Sequence, residues 1–151
     1  MKTLLIVYHT GGVKTARMAE AVARGALGET GVQVIVKRCA DARAEDVLAA
    51  DGLILGTPEN FGYMSGMMKD FLERVFYDCE GKVNGRPWAL FVGAGQDGAG
   101  AVTSVERIVL GLRLNKVHEP VIGLKDLTPE MLRRCEELGA AFAAGLAMGV
   151  F

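Results

Sequence analysis

This chain has little with which to build a metal centre, a disulfide scaffold or a membrane anchor. It carries two histidines, His9 and His118, far apart in sequence, so no imidazole cluster is on offer to a metal. Cys39, Cys79 and Cys135 are odd in number, widely spaced and outside any CxxC pattern, which leads us to expect a reduced, cytoplasmic protein. The apolar run near the start, TLLIVY, is shorter than the roughly 7–15 residues at the centre of a secretory leader. No segment approaches the ~18 consecutive apolar residues of a membrane span. Charge of one sign is also missing: 17 basic and 18 acidic residues leave a formal net charge of −1, which argues against a nucleic-acid partner and against a polyanionic face.

What the sequence does have is apolar segments of two alternating kinds. Its 151 residues, half of them hydrophobic, suit a single domain over 1–151. Leu4–Tyr8, Gly52–Gly56 and Trp88–Val92 are continuous apolar runs, as expected of strands covered on both faces. Val32–Arg38 alternates more, and Val117–Leu124 contains Pro120, which confines that strand to an edge. Between them lie helical stripes. Met64, Met67, Met68, Phe71, Leu72, Val75 and Phe76 share one face; Val102, Val105, Val109 and Leu112 share another; Met131, Cys135, Leu138 and Phe142 form a third, preceded by a Thr128 cap and Pro129 at the first helical position. A short helix is expected at Ala44–Ala49. Strands that alternate with helices predict an α/β fold: a doubly wound, five-stranded parallel sheet of order 2-1-3-4-5, with helices on both faces.

That order makes neighbours of the carboxyl ends of strands 1, 3 and 4, where open sheets of this kind bind ligands. Three unusual loops follow those strands and no others. The first, HTGGVKT, offers the hydroxyls of Thr10 and Thr15 and a flexible Gly11–Gly12 pair, with Val13 and Lys14, at the start of a helix whose first N–H groups lack partners. It fits a phosphate as well as it fits a plain turn, and it matches neither GxGxxG nor GxxxxGK[ST]. The second, TPENFGYMSG, sets Pro58, Glu59, Asn60, Phe61 and Gly62 at the mouth of the crevice, with Ser65 as a helix cap; Phe61 and Asn60 can supply an apolar face and a polar edge to a flat heteroaromatic ring. The third, GAGQDGAG, brings Gly95, Gln96, Asp97 and Gly98 to the same place.

With these residues in view, the chain resembles the flavodoxin-like FMN proteins, and in particular the short NAD(P)H-dependent FMN and quinone reductases, over nearly its whole length. The most specific match is GTPENFGYMSGMMKDFLERV, residues 56–75, which looks like that family's isoalloxazine loop and following helix. The family's phosphate loop reads roughly Ser/Thr-x-Ser/Thr-Gly-x-Thr. Here Thr10 and Thr15 match its ends, while Gly12 replaces a hydroxyl and Val13 a glycine.

The resemblance implies FMN as cofactor, NADH or NADPH as transient reductant, and electron transfer through flavin N5 to a quinone-like small acceptor, with no side-chain acid or base required. It also implies a homodimer or homotetramer, in which the apolar tail AAFAAGLAMGVF either helps to bury an interface or packs on its own sheet. A rival reading is a flavodoxin-type electron carrier. Such carriers dock through strongly acidic faces and sandwich the ring between large aromatics. A net charge of −1 offers little steering, and Trp88 sits at the start of its strand, at the wrong end of the sheet. A receiver-type signalling module needs acids after strand 1 and an aspartate after strand 3, where this chain has Tyr8–His9 and Thr57–Pro58.

Overall fold

The computed structural model describes residues 1–151. Five parallel segments form the body of the sheet: β1 (Lys2–Tyr8), β2 (Val32–Arg38), β3 (Gly52–Asn60), β5 (Pro87–Ala94) and β7 (Val121–Leu124). β1 lies between β2 and β3, β5 pairs with the other side of β3, and β7 pairs with β5. The expected order is therefore present.

Because successive side chains of a strand point to opposite faces, each central strand feeds two cores. Leu5, Val7, Leu53, Leu55, Leu90 and Val92 face one side, under α2 (Ala44–Ala49), α3 (Gly66–Cys79) and α4 (Ala99–Leu112). Leu4, Ile6, Ile54, Ala89 and Phe91 face the other, under α1 (Lys14–Ala26) and α5 (Pro129–Met148). This double cover is why β1 and β5 read as unbroken apolar runs. No helix is long and apolar enough to cross a membrane.

Three details correct the expectations. The sheet has seven strands rather than five, because the fifth strand comes in two pieces and a hairpin adds one more. β6 (Asn115–Lys116) pairs with the start of β5 and β7 with its end; the Val117 N–H still donates to the Trp88 carbonyl at 3.1 Å, and His118–Pro120 then leaves the ladder where Pro120 has no N–H to give. The run TPEN, expected as loop, continues β3 as far as Asn60 and turns back into β4 (Tyr63–Met64). Met64, expected on the helical stripe, belongs to β4 instead, because the Ser65 hydroxyl accepts from the Met68 N–H at 3.2 Å and starts α3 after it.

The C-terminal tail packs on its own chain. Gly149 turns the backbone with φ 68°, and the Phe151 ring lies 5.5 Å from that of Phe142. Cys135 is core as expected, and so are the other two cysteines. Burial pushes the Cys39 thiol up to about 12, against the opposing effect of Arg74, and that of Cys135 up to about 11; Cys79 is raised for the same reason.

Candidate functional site

The carboxyl ends of β1, β3 and β5 lie side by side, and the three singled-out loops meet there. Thr15, Thr57, Ser65 and Ser104 are the only polar side chains the chain buries, and all four stand at this edge.

The first loop is held mostly by its backbone. The His9 N–H donates to the Gly56 carbonyl at 3.0 Å, which fixes the exit from β1. Thr10 Oγ1 donates to the Gly12 carbonyl at 2.7 Å and accepts from the Ala16 N–H at 3.3 Å, so it pins the curl from both sides. The main-chain N–H groups from Gly11 to Thr15 donate to nothing in the chain, and a Cβ placed on Gly11 or Gly12 would meet only open space. Val13 has φ −102° and ψ −36°, ordinary right-handed values that need no glycine, and its side chain points to solvent. The result is an exposed set of donors with no acceptor of their own, at the positive end of a 13-residue helix. Such a set suits a phosphate monoester.

Lys14 departs from what its place in this loop suggests. Its ammonium donates to the carbonyls of Ala94 at 2.9 Å, Gly123 at 3.0 Å and Lys125 at 2.6 Å, tying α1 to the ends of β5 and β7. Partial burial lowers its pKa, opposed by Asp126. His9 is likewise lowered, first by burial and then by the Arg38 guanidinium, which also stacks 5.4 Å from the Tyr8 ring.

The second loop is a hairpin clamped by side chains. Asn60 and Tyr63 pair across Phe61 and Gly62, whose φ values of 55° and 69° are those of a type I′ turn. Thr57 Oγ1 donates to the Pro58 carbonyl at 2.8 Å and accepts from the Ser65 N–H at 3.0 Å. Ser104 Oγ accepts from the Met64 N–H at 3.1 Å while donating to the Ala101 carbonyl. Glu59 Oε2 accepts from the N–H groups of Gly100 and Ala101, so this carboxylate caps the first turn of α4. The hairpin tip then rests directly on α4, since a Cβ on Gly100 would stand 1.8 Å from the Gly62 carbonyl oxygen. On this scaffold Phe61 is fully exposed, in a backbone region that costs a residue with a side chain about 1–2 kcal/mol. A free aromatic face beside a half-exposed Tyr63 can receive a flat ring.

The third loop is the slightest. Gly95 and Gln96 are exposed, and Asp97 Oδ1 accepts from the Ala99 N–H at 3.0 Å. Gly98, buried with φ 76°, is the residue at which α4 begins. Asp97 and Glu59 thus both spend carboxylate oxygens on the start of α4. The sequence reading missed Ser104, Gly123 and Lys125. A hydroxyl inside the apolar stripe Ala101–Ser104–Val105 is a usable signal for Ser104; the carbonyls of Gly123 and Lys125, which accept from Lys14, carry none.

Comparison with known proteins places the chain among flavin-linked relatives. The family model described as NADPH-dependent FMN reductase matches residues 36–124, which takes in the hairpin and the third loop but begins after the first. A flavodoxin of Aquifex aeolicus is 40% identical over 100 residues, covering 66% of this chain and 54% of its own length. An NAD(P)H dehydrogenase (quinone) of Acidithiobacillus ferrooxidans is 32% identical over 126 residues, covering 70% of this chain and 63% of its own. The chain thus spans between half and two thirds of the length of these two relatives. Among solved structures, an archaeal flavodoxin superposes with a TM-score of 0.84 at 20% identity, covering 95% of this chain and 98% of that one. A WrbA-like flavodoxin of Agrobacterium tumefaciens gives 0.78 at 24%, with 99% of both chains covered.

Proposed function

The chain belongs to the NADPH-dependent FMN reductase family, and from that premise we propose that it binds FMN at the edge of β1, β3 and β5 and passes electrons from NADH or NADPH to a quinone-like acceptor. The observation that carries the reading is the pairing of an unpartnered donor loop, Gly11 to Thr15, with an exposed aromatic, Phe61, locked on a hairpin at the same sheet edge. The two fit the two ends of FMN, a phosphate monoester and a planar ring. When bound, FMN supplies the redox chemistry.

The chain's own part is binding and placement. The N–H groups of Gly11 to Thr15, with the Thr15 hydroxyl, would hold the phosphate, while the Thr10 hydroxyl fixes the curl that presents them. Pro58, Asn60, Phe61 and Gly62 of the hairpin and Gly95, Gln96 and Gly98 of the third loop would hold the ring. Glu59 and Asp97 act from behind by fixing the start of α4, and Lys14 by fixing the ends of β5 and β7. No side chain stands as an acid or base in this scheme, so its specificity lies in shape. The single-domain organisation, a homodimer or homotetramer, and a cytoplasmic setting for three buried reduced thiols belong to the same proposal.

A second reading, a flavodoxin-type electron carrier, draws on the 40% identity to a flavodoxin. One experiment separates the two. The purified protein is titrated with FMN by flavin fluorescence, then given NADH or NADPH with a quinone while nicotinamide oxidation is followed. Saturable FMN binding with acceptor-dependent oxidation is expected. Binding with no oxidation favours the carrier, and failure to bind FMN sinks both.

A further inference from the structure

A groove runs between α3 and α4, starting at the hairpin and leading away from the sheet edge. Its upper part, about 580 Å³, is walled by Gly62 and Tyr63 of the hairpin, Lys69 of α3, and Thr103 and Arg107 of α4. Its lower part, about 410 Å³, is walled by Leu72, Phe76 and Tyr77 of α3 and by Ile108 and Gly111 of α4. Arg107 and Ile108 border both, so the two parts adjoin. Helical spacing accounts for this. Lys69 and Phe76 are seven residues apart on α3, Arg107 is seven residues beyond the hairpin contact at Gly100, and each interval is two turns, roughly 10 Å.

The chemistry along the groove changes in order: an aromatic, then two cations, then an apolar end. Tyr63 is half-exposed at the top, and the Tyr77 ring is largely exposed at the bottom. Lys69 lies a loose 3.5 Å from Glu73, the one carboxylate of the lower part, while the Arg107 guanidinium makes no hydrogen bond or ion pair within the chain. No carboxylate lines the upper part. On the other side of Arg107 a third depression, about 440 Å³, does contain one, Glu106, but there it is paired with Lys116 at 3.0 Å. A guanidinium without a partner, at the junction between a cationic and an apolar segment, presents the planar fork that suits a phosphate.

We propose that this groove receives the adenosine end of NADPH, with Lys69 near the linking phosphates, Arg107 on the 2′-phosphate of the adenine ribose, and the adenine against Phe76 and Tyr77. Tyr63 then stands where the nicotinamide end returns to the hairpin. Arg107 makes the chain prefer NADPH to NADH. The proposal rests on the reductase reading, but its test does not need turnover.

Calorimetric titration of the full chain compares adenosine 2′,5′-bisphosphate with 5′-AMP, which differ only in the 2′-phosphate. The wild type is expected to bind the bisphosphate more tightly by on the order of tenfold, the worth of one charged hydrogen-bonded contact. Arg107→Ala is expected to bring that ratio to about one, Lys69→Ala to weaken both ligands together, and Arg113→Ala, an exposed arginine outside the groove, to leave the ratio as it was. Equal affinities in the wild type overturn the proposal, and so does a preference that survives in Arg107→Ala. FMN fluorescence titration of the same preparations reports on the reductase reading itself, so failure of one is not mistaken for failure of the other.

Discussion

The first loop and the hairpin face the same crevice, yet they are held in opposite ways. From Gly11 to Thr15 the loop is open backbone, anchored at Thr10 and by the Lys14 ammonium, with Val13 and both glycines in solvent. The hairpin is locked from below by Thr57, Glu59, Ser65 and Ser104, and only its tip is exposed. A phosphate needs several converging N–H groups, which almost any sequence can supply once the backbone curls. A ring needs one surface at one height, which only a fixed side chain gives. Side-chain identity therefore matters less to the loop's task than to the hairpin's.

Mutations can break this contrast or sharpen it. The largest effect is expected at the hairpin's seat. Gly100→Val puts a side chain into the Gly62 carbonyl, which should cost about 2–3 kcal/mol in urea unfolding and abolish saturable FMN binding as the tip lifts. A hairpin that tolerates the Gly100→Val substitution is not clamped.

Phe61→Gly should divide stability from function. Relief of the left-handed backbone gains about 1 kcal/mol, because a fully exposed ring gives up no packing. FMN affinity should fall roughly tenfold with the lost aromatic face. A melting temperature that drops together with affinity would show the ring to be a structural element instead.

The matching change in the loop should do little. Val13→Gly restores the family's residue, but Val13 already has a right-handed φ. The cost is entropic, up to about 1 kcal/mol, and FMN affinity should stay within about threefold. A large gain in affinity would mean that Val13 blocks the cradle.

The smallest effect is in pH. His9, at the foot of the loop, has a folded-state pKa below its ordinary 6.5. As pH falls below 6.5, the unfolded chain takes up protons that the folded chain resists, so His9 makes stability decline on the acid side and contributes nothing to the slope above it. His9→Asn should flatten that part of the stability profile slightly, as read from melts between about pH 5 and 8. An unchanged slope would remove His9 from the account.

The contrast also explains how much could be read in advance. The strands of β1, β2 and β5, the cap and proline at the start of α5, and the meeting of three loops follow from periodicity and turn chemistry, which are local. The hairpin was half legible. Pro58 and Gly62 announce a break, but β1 pairs with β3 only as far as Gly56, so β3 has a free edge beyond it that tolerates a proline and lets the strand continue. Met64 fell on a helical stripe by coincidence of spacing, and the Ser65 cap overrides that stripe. The partner of Met64 is Ser104, forty residues on in α4, and no local pattern links the two. The groove between α3 and α4 was invisible for the same reason, since its walls come from two helices that are unrelated until they pack.

Three carbonyl oxygens within 3.0 Å of one Lys14 nitrogen resemble the shell that a protein would otherwise fill with a monovalent ion from solution. Here the ion is part of the chain. The cation that ties the ends of β5 and β7 together is therefore supplied by the fold itself, and its positive charge arrives at one fixed place beside the crevice every time the chain folds.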